Sequence, residues 1–70
     1  MRKKFAMKFV KVTRLDVQTH APIRDEIINV DMISNFYLHN GCYIICGIGS
    51  AIATDEKSAQ RIMEAMGVHL

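Results

Sequence analysis

The apolar residues of this chain change their spacing partway along, and that change limits the fold more than any other feature. From Lys8 to Leu15 they alternate, with Val10 and Val12 on one side and Lys11 and Thr13 on the other. A period of two carried by β-branched residues predicts a half-buried strand. Near the end the period becomes helical. Ala59, Ile62, Met63 and Met66 stand at i, i+3, i+4 and i+7, one apolar stripe, while Lys57, Gln60, Arg61 and Glu64 lie elsewhere on the wheel. Thr54 or Asp55 caps this helix, and Asp55 and Glu56 place negative charge on its first turn, where the dipole favours it. Gly67 is a suitable residue to end it.

Between these two patterns the chain reads as further short strands. Asp16 to Pro22 is a polar loop, and Pro22 can open a strand but not sit inside a paired one. Ile23 to Val30 forms the second strand, Asp31 marks a bend, and Ile33 to Leu38 forms the third. His39-Asn40-Gly41 is a hairpin signal, because Asn and Gly tolerate the positive φ of a type I′ turn. Cys42 to Cys46 is continuously apolar, as in a strand buried on both faces, and Ser50 to Thr54 is a fifth candidate. Strands first and one helix last predict an α+β fold: a small antiparallel β-meander of about five short strands, followed by one C-terminal amphipathic helix packed on the sheet.

Seventy residues hold a single domain. Residues 1–7 read as a flexible basic N-terminal arm and 8–70 as the domain, with Met7 an alternative start to Met1. Half of the residues are hydrophobic, enough for a core. Domains this small bury only about 60% of their unfolded surface and usually need a further support. Two cysteines cannot make a dense disulfide framework, which leaves self-association. Lys8 and Lys11 interrupt the apolar stretch after Arg2-Lys3-Lys4, so no signal-peptide core forms there. No run approaches the roughly 20 apolar residues of a membrane span. With cysteine use that fits a reducing compartment, the expectation is a cytoplasmic protein without a membrane partner.

Gly47-Ile48-Gly49-Ser50-Ala51-Ile52 begins like the dinucleotide fingerprint G-x-G-x-x-G/A, but Ile52 stands where a small residue is needed. Helical signals start only at Thr54 or Asp55, so the loop does not open onto a helix N-terminus. A bend between two strands explains the same glycines. Cys42 and Cys46 share a strand face about 13 Å apart, too far for a disulfide, which needs Cα atoms within about 7 Å, or for a shared zinc. They read as small hydrophobes. His20, His39 and His69 have no serine, cysteine or carboxylate at a spacing that would pair with them, and Asp25, Glu26 and Asp31 read as solvated. No catalytic residue, cofactor or metal is expected, and the chain does not read as an enzyme.

Charge is where binding chemistry enters. Net charge is only +2, yet Arg2, Lys3, Lys4, Lys8, Lys11 and Arg14 all precede the first acid, Asp16. Lys3, Lys4, Lys8, Lys11 and Arg14 are therefore candidate nucleic-acid contacts, with Tyr37 and Tyr43 as stacking surfaces if the hairpin turns both outward. The alternative is a solvated strand whose lysines discourage edge pairing. Met63 and Met66 are candidate partner contacts as well as core residues.

Val10-Lys-Val-Thr-Arg-Leu-Asp16, Ile28-Asn-Val-Asp-Met-Ile33, Asn40-Gly41, the Ile52-Ala-Thr-Asp-Glu56 junction and Ile62 together resemble small flagellar proteins of FlbD type and prophage proteins of like length. The longer Asp16–Pro22 loop and the hairpin with Gly47 and Gly49 depart from the flagellar pattern. The resemblance implies a β-meander with a C-terminal helix, no catalytic residues and self-association. The expectation is a non-enzymatic interaction or regulatory module, of phage type, acting as a homo-oligomer, with a protein partner as a further role. Nucleic-acid binding through the basic arm is the alternative.

Overall fold

A computed structural model describes residues 9–47 and 49–67. Five strands, β1 (Phe9–Leu15), β2 (Pro22–Asn29), β3 (Asn35–His39), β4 (Cys42–Cys46) and β5 (Ile52–Thr54), precede one helix, α1 (Glu56–Met66). They form a single antiparallel sheet in the order β2-β1-β5-β4-β3. The α+β architecture is the one the spacing predicts. The meander runs through β3, β4 and β5, and β1 then closes onto β5, carrying β2 outside it.

That order forces the sheet to curl. In a flat sheet β2 and β3 would stand four strand spacings apart, about 19 Å. Only residues 30–34 join them, and Val30–Met32 are wound into a 3₁₀ turn. Such a linker reaches roughly 16 Å. The sheet therefore curls, bringing the end of β2 toward the start of β3. Asp31 sits in the 3₁₀ turn, where Asn29 Oδ1 accepts its amide at 3.0 Å. Because this turn takes Val30 to Met32, β2 ends at Asn29, and β3 starts only at Asn35 rather than Ile33. β5 likewise begins at Ile52 rather than Ser50.

The concave side holds the main core. Val12, Ile28, Val30, Ile45, Ile52 and Ile62 are buried together, ringed by Val10, Ile33, Phe36 and Ala65. Full burial of each such aliphatic side chain contributes about 1.5–3 kcal/mol. On the opposite face Cys42, Ile44 and Ala53 form a smaller cluster with Leu15 and Cys46. β4 is thus buried on both faces, as its unbroken apolar run requires.

Turn chemistry is local and specific. Asn40 and Gly41 take φ 50° and 85°, the left-handed pair of a tight hairpin. Gly47 has φ 106°, and a Cβ there would lie 2.5 Å from the Ser34 amide nitrogen and 2.6 Å from the Met32 carbonyl oxygen. The linker that curls the sheet runs against this glycine, fixed by a 2.9 Å bond from the Ser34 amide to the Cys46 carbonyl.

A buried polar hub ties α1 to β1. β5 covers only Arg14 and Leu15 of β1, so the same edge further back has no strand partner. Side chains replace it. Ser58 Oγ accepts the Thr13 amide at 3.0 Å, Thr54 Oγ1 donates to the Thr13 carbonyl at 2.7 Å, and Arg61 Nε donates to the Lys11 carbonyl at 3.2 Å. Thr54 and Ser58 are fully buried. Ser58 Oγ also accepts from Arg61 Nη2 at 3.2 Å, so both of its lone pairs are used. Asp55 is the N-cap, accepting the Ser58 amide at 2.8 Å, and Gly67 closes the helix in the left-handed conformation. Burial pushes the Asp55 carboxyl up, but the Ser58 hydroxyl and amide and the Arg61 charge outweigh it and hold it below the usual carboxylate range.

Three outcomes follow for stability, each read by denaturant or thermal unfolding. Gly47→Ala loses about 3 kcal/mol, from the left-handed backbone and the clash with residues 32–34. Ser58→Ala strands the buried Thr13 amide and costs about 1–3 kcal/mol. A carboxyl whose folded pKa is depressed stabilises fully above its unfolded value and stops doing so as pH falls through the folded one. Asp55→Asn keeps a good cap but lacks the charge, so it loses that modest contribution at pH 7 and with it that part of the acid-side decline.

Candidate assembly interface

Among the described residues, the outer edge of β2 is the longer of two surfaces where exposed apolar side chains and unpaired backbone coincide. The hub decides which backbone groups these are. Lys11 and Thr13 aim their backbone groups at α1 and Thr54, away from β2. Backbone direction alternates along an antiparallel ladder, so the hydrogen-bonded pairs of β1 with β2 are Val10–Ile28, Val12–Glu26 and Arg14–Arg24. Asp25, Ile27 and Asn29 therefore aim their N–H and C=O groups outward along the free edge. The register slips between Arg14 and Leu15, which leaves Ile23 as the extra residue of a bulge.

Apolar side chains crowd this edge. Ile27 is 64% exposed, Met32 58%, Phe9 54% and Ile23 52%. Glu26, Ile27, Ile28, Asn29 and Met32 line a shallow groove of about 240 Å³ beside it. The second sheet edge, β3, also exposes Leu38 and Tyr37, but it has five residues against eight in β2.

Charges lie along both faces of the β1–β2 ribbon. On the helix side Glu26 Oε2 meets Arg24 Nε at 2.8 Å and Arg14 Nη1 at 3.2 Å. On the other side Asp25 accepts from Thr13 Oγ1 at 3.1 Å and lies 3.9 Å from Lys11 Nζ. Asp25 and Glu26 are thus cross-strand partners of the basic residues rather than free solvated groups. Of the basic candidates, Lys11 and Arg14 are each paired with an acid, while Lys3, Lys4 and Lys8 lie outside the described residues.

The tyrosine platform is not formed. Tyr37 pairs with Ile44 and Tyr43 with Leu38, so the two rings project from opposite faces of the hairpin. Tyr43 stacks on Phe36 at 5.5 Å, and Tyr37 meets His39 edge-on at 6.4 Å. Met63 is buried and packs inward, whereas Met66, at the last turn of α1, stays 38% exposed. Of the two methionines, only Met66 offers a surface to a partner.

The other motifs settle into structural places. Gly47 and Gly49 both have positive φ in the bend from β4 to β5, and α1 starts only after β5, with its N-terminus filled by Asp55. Cys42 and Cys46 are free thiols, and Cys42 Sγ points at the His39 carbonyl, 3.5 Å away. His39 contacts Asn40, and His20, in the loop after β1, reaches the Asn40–Gly41 turn. His69 lies outside the described residues. Asp16 caps its own loop by accepting from the Thr19 and Gln18 amides, which holds its carboxyl below the usual range. Among the described residues no three His, Cys, Asp or Glu side chains gather as metal ligands would, and no helix is long and apolar enough to cross a membrane. The chain matches no family model, no curated protein and no solved structure at a significant level.

Proposed function

We propose that this chain is a non-enzymatic interaction or regulatory module that works as a homo-oligomer, with the outer edge of β2 as its assembly surface. One observation carries the reading. β2 is an edge strand whose outward-aimed backbone groups at Asp25, Ile27 and Asn29 are flanked by exposed Ile27, Met32 and Phe9. An exposed strand edge is a template for a further strand. Natural edges are commonly protected by bulges or inward-pointing charges, and here the bulge at Ile23 shields only the first end of the strand.

The small size of the domain supports the same reading. A second copy would cover apolar surface that a chain of 70 residues cannot bury within itself. Binding of this kind uses main-chain hydrogen bonds for affinity and alternate side chains for selectivity. No reacting group is needed.

Light scattering tests it. At tens of micromolar the chain should weigh at least twice its 7.9 kDa, and Ile27→Lys should return it to monomer with an unchanged circular dichroism spectrum. A wild-type chain that stays monomeric at that concentration rules the reading out.

A further inference from the structure

We infer that two copies join by antiparallel pairing of β2 with β2 about a two-fold axis at Asp25. The inference rests on the reading of β2 as an assembly edge and adds the register. Ile23-Arg24-Asp25-Glu26-Ile27 is complementary to itself when reversed. With Asp25 opposite Asp25 of a second copy, Arg24 faces Glu26 of that copy, and Glu26 faces its Arg24. Ile23 and Ile27 face Ile27 and Ile23 in the same way. Directly opposed residues of an antiparallel pair share a face, so the charges meet on the helix side and the isoleucines on the other.

Other registers that keep two-fold symmetry are poorer. An axis at Glu26 opposes the two Glu26 carboxylates and sets Ile27 against Asp25 of the second copy. An axis at Arg24 opposes two guanidinium groups. An axis at Ile27 matches the isoleucines there but sets Glu26 against Ile28, a core residue. Only the axis at Asp25 joins two opposite-charge pairs and two apolar pairs. Its one like-charge contact is the Asp25 pair itself, and each of those carboxylates arrives with its own Lys11 at 3.9 Å and Thr13 at 3.1 Å. The outward backbone groups of Asp25 and Ile27 supply the hydrogen bonds. The groove beside Ile27 and Met32 takes Ile23 of the second copy.

Disulfide trapping in full-length chains carrying Cys46→Ala separates this register from its rivals. Asp25→Cys places two thiols across the axis, with Cα atoms about 5.5 Å apart, within disulfide reach. Ile27→Cys places its two thiols about 13 Å apart in the same register. Mild oxidation should therefore convert the Asp25→Cys chain to a covalent dimer on a non-reducing gel and leave the Ile27→Cys chain uncrosslinked. Asp25→Asn, which removes the like-charge contact, should tighten the dimer about three- to fivefold by sedimentation equilibrium. Trapping at residue 27 but not 25 overturns the register and leaves β2 as the interface. A dimer by light scattering that traps at neither position overturns the register, one that also survives Ile27→Lys overturns the β2 edge itself, and a monomer overturns self-association altogether.

Discussion

Thr13 is the residue on which the geometry turns. Its amide and carbonyl face away from β2 at a point where β5 has already ended, and in water-poor surroundings such groups need partners. Ser58 and Thr54 supply them, and both are fully buried in doing so. A helix side chain thus stands in for a missing strand. This fixes the height of α1 along β1, because Ser58, Asp55 and Arg61 occupy consecutive turns and all bond into the same junction. It also fixes which way every second residue of β1 points. The outward exposure of Asp25, Ile27 and Asn29 on β2 is a consequence of that choice, one strand removed.

Much of this could be read from the residues. Period-two alternation located β1, Asn40-Gly41 located the β3–β4 hairpin, and the helix was delimited by Thr54 or Asp55 at one end, of which Asp55 is the cap, and by Gly67 at the other. These signals are local, since a turn or cap is decided within four residues. The Gly47 and Gly49 bend was legible for the same reason. What local pattern does not carry is the pairing of strands distant in sequence. The contact of β1 with β5 spans about forty residues, and it is what leaves β2 and β3 as the two edges of the sheet. The faces of Tyr37 and Tyr43 depend on register, and an even separation across a two-residue turn sends them to opposite sides.

Ser58 shows the limit most clearly. On a helical wheel it reads as a polar residue beside an apolar stripe, and serine in a helix is usually taken as solvent-facing. Its burial follows from a demand that originates on β1, at a sequence distance of 45 residues. The converse holds for Met66, which the wheel assigns to the stripe but which stays exposed at the last residue of α1. Ile27 is similar. Adjacent Ile27 and Ile28 both favour a strand, yet a strand sends them to opposite faces, and only Ile28 finds the core.

The two sheet edges, β2 and β3, connect the fold to the proposed assembly. Pairing them with each other would close the sheet and leave no strand edge exposed. They stand instead at opposite ends of the strand order, joined by residues 30–34, whose 3₁₀ turn runs against Gly47. The concave side is then completed by α1, which satisfies β1 but does nothing for β2. A fold that gains its helix in this way leaves one long edge without a partner among the described residues. The alternating charges of Arg24, Asp25 and Glu26 discourage indiscriminate pairing along that edge, since most registers oppose like charges or set a charge against an isoleucine. The same alternation permits one reversed alignment. In the proposed dimer, protection against the wrong neighbour and recognition of the right one reside in the same five residues, Ile23 to Ile27.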